Sequence, residues 1–395
     1  MGKLFSRLKP DVRQEELPEH PVSLLLRDLT GRFDWLQIVP MFLLLITGAL
    51  FIYGTGQQVG GIHAALIWKK QLLFMGIGIV IWFFLIFFDY RWLIPGTFVI
   101  YPFSLLLLVI VLLFGTELYG AKRWLSIGGF SYQPSELAKL GVILSVSFLL
   151  SRRKANINKP LWALGVIILT AIPFLLIYKE PDLGTALVLL PIVGAILFSA
   201  HLKLRWILAL LILLMATAPV LYMNLKPYQK ERIYTFLNPE SDPTDLGWNA
   251  VQANLAVGRG GVTGKGFMEG THCSLGYLPR TVANSDFIFP VIAEETGFIG
   301  AFLLLMLYAV LMFSILRTAM LAPDDFGRYL CVGIGALLIT HVAVNIGMCI
   351  QLLPITGLPL PLVSYGGSFM VSMMIYLGII QSVYAHRKQD SFLSE

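Results

Sequence analysis

About ten stretches of roughly twenty largely apolar residues recur along this chain, separated by polar or Gly- and Pro-rich linkers. They lie near 35–54, 69–88, 92–114, 134–151, 160–178, 182–199, 204–223, 286–316, 328–351 and 364–384. Each is long enough to cross a bilayer as a helix. Before the first, the segment 22–29 is too short to span and is expected to lie at the membrane interface. The pattern predicts an all-α polytopic membrane protein in three parts. These are a cytoplasmic segment 1–34, a ten-helix membrane domain 35–384 and a tail 385–395. One linker, 224–285, is far longer than the others. It holds Pro227, Pro239, Pro243 and a glycine-dense run from Gly258 to Gly270. Within it Trp248, Val251, Leu255 and Ala256 recur at helical spacing, which predicts one helix lying on the membrane surface. A long connection in a compact protein is usually functional.

Composition agrees with the pattern. Only 13% of the 395 residues are Asp, Glu, Lys or Arg, about half the share of a soluble chain. The mean hydropathy is +0.76. The formal net charge of +6 reflects where the cations fall and gives no reason to expect a nucleic-acid partner. Counted over the termini and short linkers, with the N-terminus inside, seventeen Lys and Arg face the cytoplasm and five face outward. Both termini are therefore expected in the cytoplasm and 224–285 on the outer face. Cys273, Cys331 and Cys349 match no metal spacing and imply no disulfide framework. The polar start has no apolar h-region, so no cleaved signal peptide is expected.

Polar groups beside the spans carry the chemical information. Glu136 and Lys139 are three apart near the start of the fourth span, so they share a helix face. Either they pair to lock two helices together or they wall a hydrated cavity. Asp182 opens the sixth span, where the helix dipole accounts for part of its presence. Lys122 and Arg123 stand beside Trp124, as interfacial anchors or as a fork for a phosphate-bearing headgroup. Asp286 directly precedes the eighth span, followed by Glu294 and Glu295. A carboxylate at a cavity mouth is a candidate general base, because partial desolvation raises its pKa. A plain helix cap is the competing reading. The run Gly258–Gly266 is not a phosphate loop. Arg259 stands where the first glycine is needed, and Gly266 replaces the required Ser or Thr. Lys265 remains a candidate point charge. The Pro- and Gly-rich segment 358–368, with Ser364, suits a re-entrant turn lying against protein or water.

Together the segments Gly120–Leu125 (GAKRWL), Gln133–Leu140 (QPSELAKL), Glu180–Ala186 (EPDLGTA), Gly258–Gly266, Ser285–Phe289 (SDFIF) before Ala293-Glu294-Glu295, and Pro359–Ser368 (PLPLVSYGGS) resemble the SEDS proteins (shape, elongation, division and sporulation). These are membrane glycosyltransferases of bacterial cell-wall synthesis. The segments occur in family order over nearly all of 35–384. Asn238–Pro243, Gly264-Lys265-Gly266 and Gly270-Thr271 look more like the elongation member than the division member. The resemblance implies polymerisation of lipid II into glycan strands, with Asp286 as the catalytic base or a metal ligand. It makes Arg123, Glu136, Lys139, Asp182, Lys265 and Ser364 candidates for binding substrate, and it leaves room for an assisting divalent cation, Mg or Mn. It also implies the bacterial cytoplasmic (inner) membrane. The expected partners are a class B penicillin-binding protein (a transpeptidase), other elongation-complex proteins and membrane lipids. Two departures stand out: Arg280 replaces the usual Glu after Leu-Pro, and Asn284-Ser285 replaces His-Thr. A lipid II flippase and a non-catalytic scaffold for a transpeptidase are the rival functions. Only the catalytic reading requires a base at Asp286.

Overall fold

The computed structural model describes residues 31–387 apart from 60–61, 119–120, 128–129, 153–156, most of 204–226, 240–245 save Asp242, and 280–281. The interfacial segment 22–29, the seventh expected span 204–223 and Arg280 thus fall wholly or mostly outside the described residues. The other nine expected spans are all helices. In chain order these are α1 (Trp35–Val59), α2 (Ile62–Phe87), α3 (Leu93–Phe114), α4 (Pro134–Leu150), α5 (Pro160–Lys179) and α6 (Leu183–Ser199). After α7 (Pro227–Leu237), α8 (Leu246–Arg259) and the single turn α9 (Thr271–Ser274) come α10 (Ile288–Leu321), α11 (Asp325–Cys349) and α12 (Gly367–Ala385). Seven of the described helices are long and apolar enough to cross a membrane. The chain is a multi-pass helical membrane protein.

Helix starts follow local chemistry. α4 opens with Pro134, whose missing N–H costs nothing in the first turn, after an extended Gln133. α6 and α11 are capped by Asp182 and Asp324, which accept from the Thr185 and Gly327 amides. α11 is central and packs on α4, α6, α10 and α12, while α12 lies along α2. α4 and α11 bury polar as well as apolar side chains.

Two features were not foreseen. Residues 116–132 form a small antiparallel meander, β1 (Thr116–Leu118), β2 (Ala121–Ile127) and β3 (Phe130–Tyr132). Strands this short give hydropathy no period to detect. The second is a break in α10 at Gly297, with φ 68° and ψ −164°, a conformation essentially limited to glycine. The glycine-dense run lies along this break and serves its orphaned backbone groups. Lys265 and Gly266 amides donate to the Glu294 and Glu295 carbonyls, and Phe298 and Ile299 amides donate to Gly261 and Val262. A Cβ on Gly264 would meet the Glu295 carbonyl oxygen at 2.2 Å, so the two backbones touch only because Gly264 carries no side chain. The predicted surface helix is α8, with Trp248 and Leu255 exposed. Its opposite face, with Ala253 and Ala256, is buried toward α10.

Candidate active site

Asp286 stands in a tight turn just before α10. Its amide donates to Val282, and the helix N-cap is Phe287 with no side-chain cap bond. The plain helix-cap reading of this carboxylate therefore fails. The backbone around it is gripped from two sides. Asn345 Nδ2 on α11 donates to the Asp286 carbonyl at 2.9 Å and to the Leu358 carbonyl at 2.8 Å. The 358–365 loop grips its neighbours: Ser364 Oγ donates to the Ser285 carbonyl and accepts from the Leu360 amide, and the Tyr365 amide donates to the Asn284 carbonyl. The side chain is left half-buried, close against Gly357, where a Cβ would lie 3.3 Å from Oδ2. Burial pushes its pKa up to about 6, against the pull of a Ser285 hydrogen bond and the positive charge of Arg232. Arg232 lines a small crevice with Met348, Gln351 and Ile355 beside this turn.

Glu136 and Lys139 on α4 do pair, at 2.9 Å, and both are buried. Lys139 Nζ also lies 3.1 Å from His341 Nε2 on α11. The cation is thus held, but Glu136 Oε2 has no hydrogen-bond partner among the described residues. Glu136 lines a cavity of about 310 Å³ between α2, α4, α12 and β3. Most of the wall is apolar (Phe74, Ile77, Leu140, Ile375), with Tyr132 and Ser368 among its polar groups. The pair lies within α4, is tied to α11 through His341, and faces an open space on its Glu136 side.

The remaining sequence candidates also make contacts within the fold. Arg123 reaches from β2 to the α5–α6 turn, bonding the Pro181 and Glu180 carbonyls and lying 3.7 Å from Asp182. Asp182 is the α6 cap and also accepts from Gln133. Arg123 therefore latches the meander to that turn. Lys265 pairs with Glu294 at 2.5 Å and with Thr271. Glu294, which is buried, additionally accepts from the Thr271 amide and hydroxyl and from the His272 amide, and it contacts His272 Nδ1. Lys265, a candidate point charge for phosphate from the sequence, has its ammonium paired with a buried carboxylate in the fold. Ser364 likewise spends both its donor and an acceptor on backbone, which makes it a positioning residue for the Asp286 turn.

Sequence reading passed over four residues. His341 and Asn345 are polar groups one turn apart inside an apolar span, a legible signal. Arg232 lies in a loop helix with no pattern to mark it. Glu180 sits in the α5–α6 turn, buried with Oε1 unpartnered, and burial together with nearby Asp182 raises its pKa to about 9 despite Arg123. Among the described residues no three His, Cys, Asp or Glu side chains gather as a metal site would require.

Residues 34–389 match the family described as cell cycle protein, comprising FtsW, RodA and SpoVE. The chain is 40% identical over 296 residues to the peptidoglycan glycosyltransferase MrdB of Escherichia coli K12, covering 74% of this chain and 78% of the relative. To the probable peptidoglycan glycosyltransferase FtsW of Trichlorobacter lovleyi it is 34% identical, over 91% of this chain and 94% of that one. Among solved structures, the rod shape determining protein RodA of Thermus thermophilus superposes with a TM-score of 0.68 at 29% identity, over 91% and 98% of the two chains. A chain from a peptidoglycan synthase complex that coordinates polymerization and crosslinking gives 0.78 at 32% identity, over 91% and 99%. The chain belongs to this SEDS family.

Proposed function

We propose that this protein is a peptidoglycan glycosyltransferase of cell-wall elongation that joins lipid II units into glycan strands on the outer face of the bacterial cytoplasmic membrane. Family membership and relatives named for that activity support the reaction class, and the likeness to a rod shape determining protein supports elongation. The distribution of Lys and Arg supports cytoplasmic termini, which puts Asp286 outside. The observation that carries the reading is Asp286 itself: a half-buried carboxyl, fixed through its backbone by two elements, with no cap to serve and a pKa near 6.

A group poised there is ionised at neutral pH yet basic enough to take a proton in the transition state. The acceptor sugar hydroxyl gives its proton to Asp286 as its oxygen bonds to the anomeric carbon of the donor. The bond from that carbon to the diphosphate breaks, and the diphosphate leaves with the electron pair. A single inverting displacement needs one base, unlike the paired carboxylates of glycosidases. The cavity beside Glu136 has the character for the lipid-linked donor, apolar along most of its wall with few polar groups. A divalent cation fits the donor set only through Asp286 together with substrate oxygens and water, the mode Mg²⁺ commonly uses. It would supply charge neutralisation to the departing diphosphate. The partner chemistry of the synthase-complex neighbour supports a class B penicillin-binding protein docked on this chain.

Glycan formation from labelled lipid II by purified wild type and Asp286→Asn, each with its transpeptidase, tests the reading. Wild type should make polymer, while the variant loses about 10²- to 10⁴-fold in rate, the usual contribution of a general base. Equal rates would sink the assignment of Asp286. Absence of polymer from an intact wild-type complex would favour flipping or scaffolding.

A further inference from the structure

The donor cavity and the base are joined through one helix. His341 and Asn345 lie four apart on α11 and so share a face. An ammonium has no lone pair to offer, so in the 3.1 Å contact with Lys139 it is His341 Nε2 that accepts. The ring is therefore neutral and carries its proton on Nδ1, which donates to the Pro359 carbonyl at 3.2 Å. Pro359 lies in the loop whose Leu358 carbonyl accepts from Asn345 and whose Ser364 and Tyr365 donate to the Ser285 and Asn284 carbonyls, while Asn345 itself donates to the Asp286 carbonyl. His341 is fully buried against the Phe369 ring, at 5.1 Å between centroids. It has no room to bond anything else.

We propose that His341 is a positioning residue whose two nitrogens tie Lys139, at the wall of the donor cavity, to the loop that fixes Asp286. This rests on the reading of Asp286 as base and of the Glu136 cavity as the donor site. One nitrogen keeps the Lys139 ammonium beside Glu136, where it sets the charge that the donor diphosphate meets. The other sets the height of the 358–365 loop and with it the approach of Asp286 to the acceptor hydroxyl. A solely structural histidine would couple nothing, and its loss would appear as lower yield with unchanged kinetics.

The two arms are separable. Gln places a carbonyl oxygen near the Nε2 position and keeps the Lys139 bond, but it cannot reach Pro359. Asn keeps a donor near Nδ1 and loses Lys139. Phe fills the space with neither bond. Lipid II polymerisation by the purified full chain with its transpeptidase is measured for each variant, with thermal unfolding in detergent as a control. The expected result for His341→Gln is a fall in kcat of about tenfold with KM near wild type, the size of one lost hydrogen bond to a charged or catalytic group. His341→Asn should instead raise KM about tenfold with kcat near wild type, and His341→Phe should show both changes. Gln and Asn variants that change kcat and KM alike overturn the proposal. So do variants that change only melting temperature, or that match wild type throughout; if Phe does not fold, the Gln and Asn pair still decides. An active Asp286→Asn would bring down the underlying reading as well, whereas an inactive Asp286→Asn beside a silent His341 series would overturn this inference alone.

Discussion

Asp286 and Glu294 are carboxylates two helical turns apart in sequence, at the same end of the bundle, and they are treated in opposite ways. Glu294 is enclosed by Lys265, Thr271 and His272, so its charge is met by a cation and several donors. Asp286 has its backbone held firmly, but its carboxylate is left with a Ser285 hydrogen bond and the more distant charge of Arg232. The first arrangement stabilises a loop against a broken helix. The second leaves the carboxylate without an ion pair of that kind, as the proposed role of Asp286 as proton acceptor requires.

Exchanging the amide for the acid at each site sharpens the contrast most. Glu294→Gln breaks a buried pair from one side and should lower stability by about 3–5 kcal/mol, read as a large drop in melting temperature in detergent. Asp286→Asn should melt at the wild-type temperature or above it, since folding holds that carboxyl above its ordinary pKa and gains nothing from its charge. If both variants melted alike, the contrast would collapse.

A smaller effect concerns pH. With a folded pKa of about 6, the base form of Asp286 is lost below that value, so kcat/KM should fall about tenfold per pH unit in the acid limb. Stability runs the other way. A raised folded pKa contributes stability that is fully present below the ordinary carboxylate range and is lost as pH rises through about 6. A rate profile flat down to pH 4.5 would break the assignment.

The smallest effect is expected at Glu180. Held protonated at neutral pH by a pKa near 9, it already behaves as a neutral side chain, so Glu180→Gln should melt at the wild-type temperature or slightly above it. As pH rises from the ordinary carboxylate range to about 9 wild type should lose melting temperature while the variant does not, and the loss should level off above about 9.

The sequence by itself determined the membrane class, nine of the described helices and the chain position of Asp286. Runs of apolar residues long enough to span are a local property, and only a helix satisfies its own backbone in lipid. The Glu136–Lys139 pair was legible for the same reason, since their spacing sets a shared face. What the sequence could not assign was the fate of each charge. Lys265 showed no partner until the fold brought Glu294 to it from 29 positions away, and Arg123 stayed open between interfacial anchor and headgroup fork, its bonds to the α5–α6 turn being visible only in the fold. His341 and Asn345 are plain polar residues in a span until packing sets one against Lys139 and the other against Asp286. Only the tertiary structure decides these roles, because a charge's chemistry depends on which partners and how much water reach it, and those partners come from distant parts of the chain.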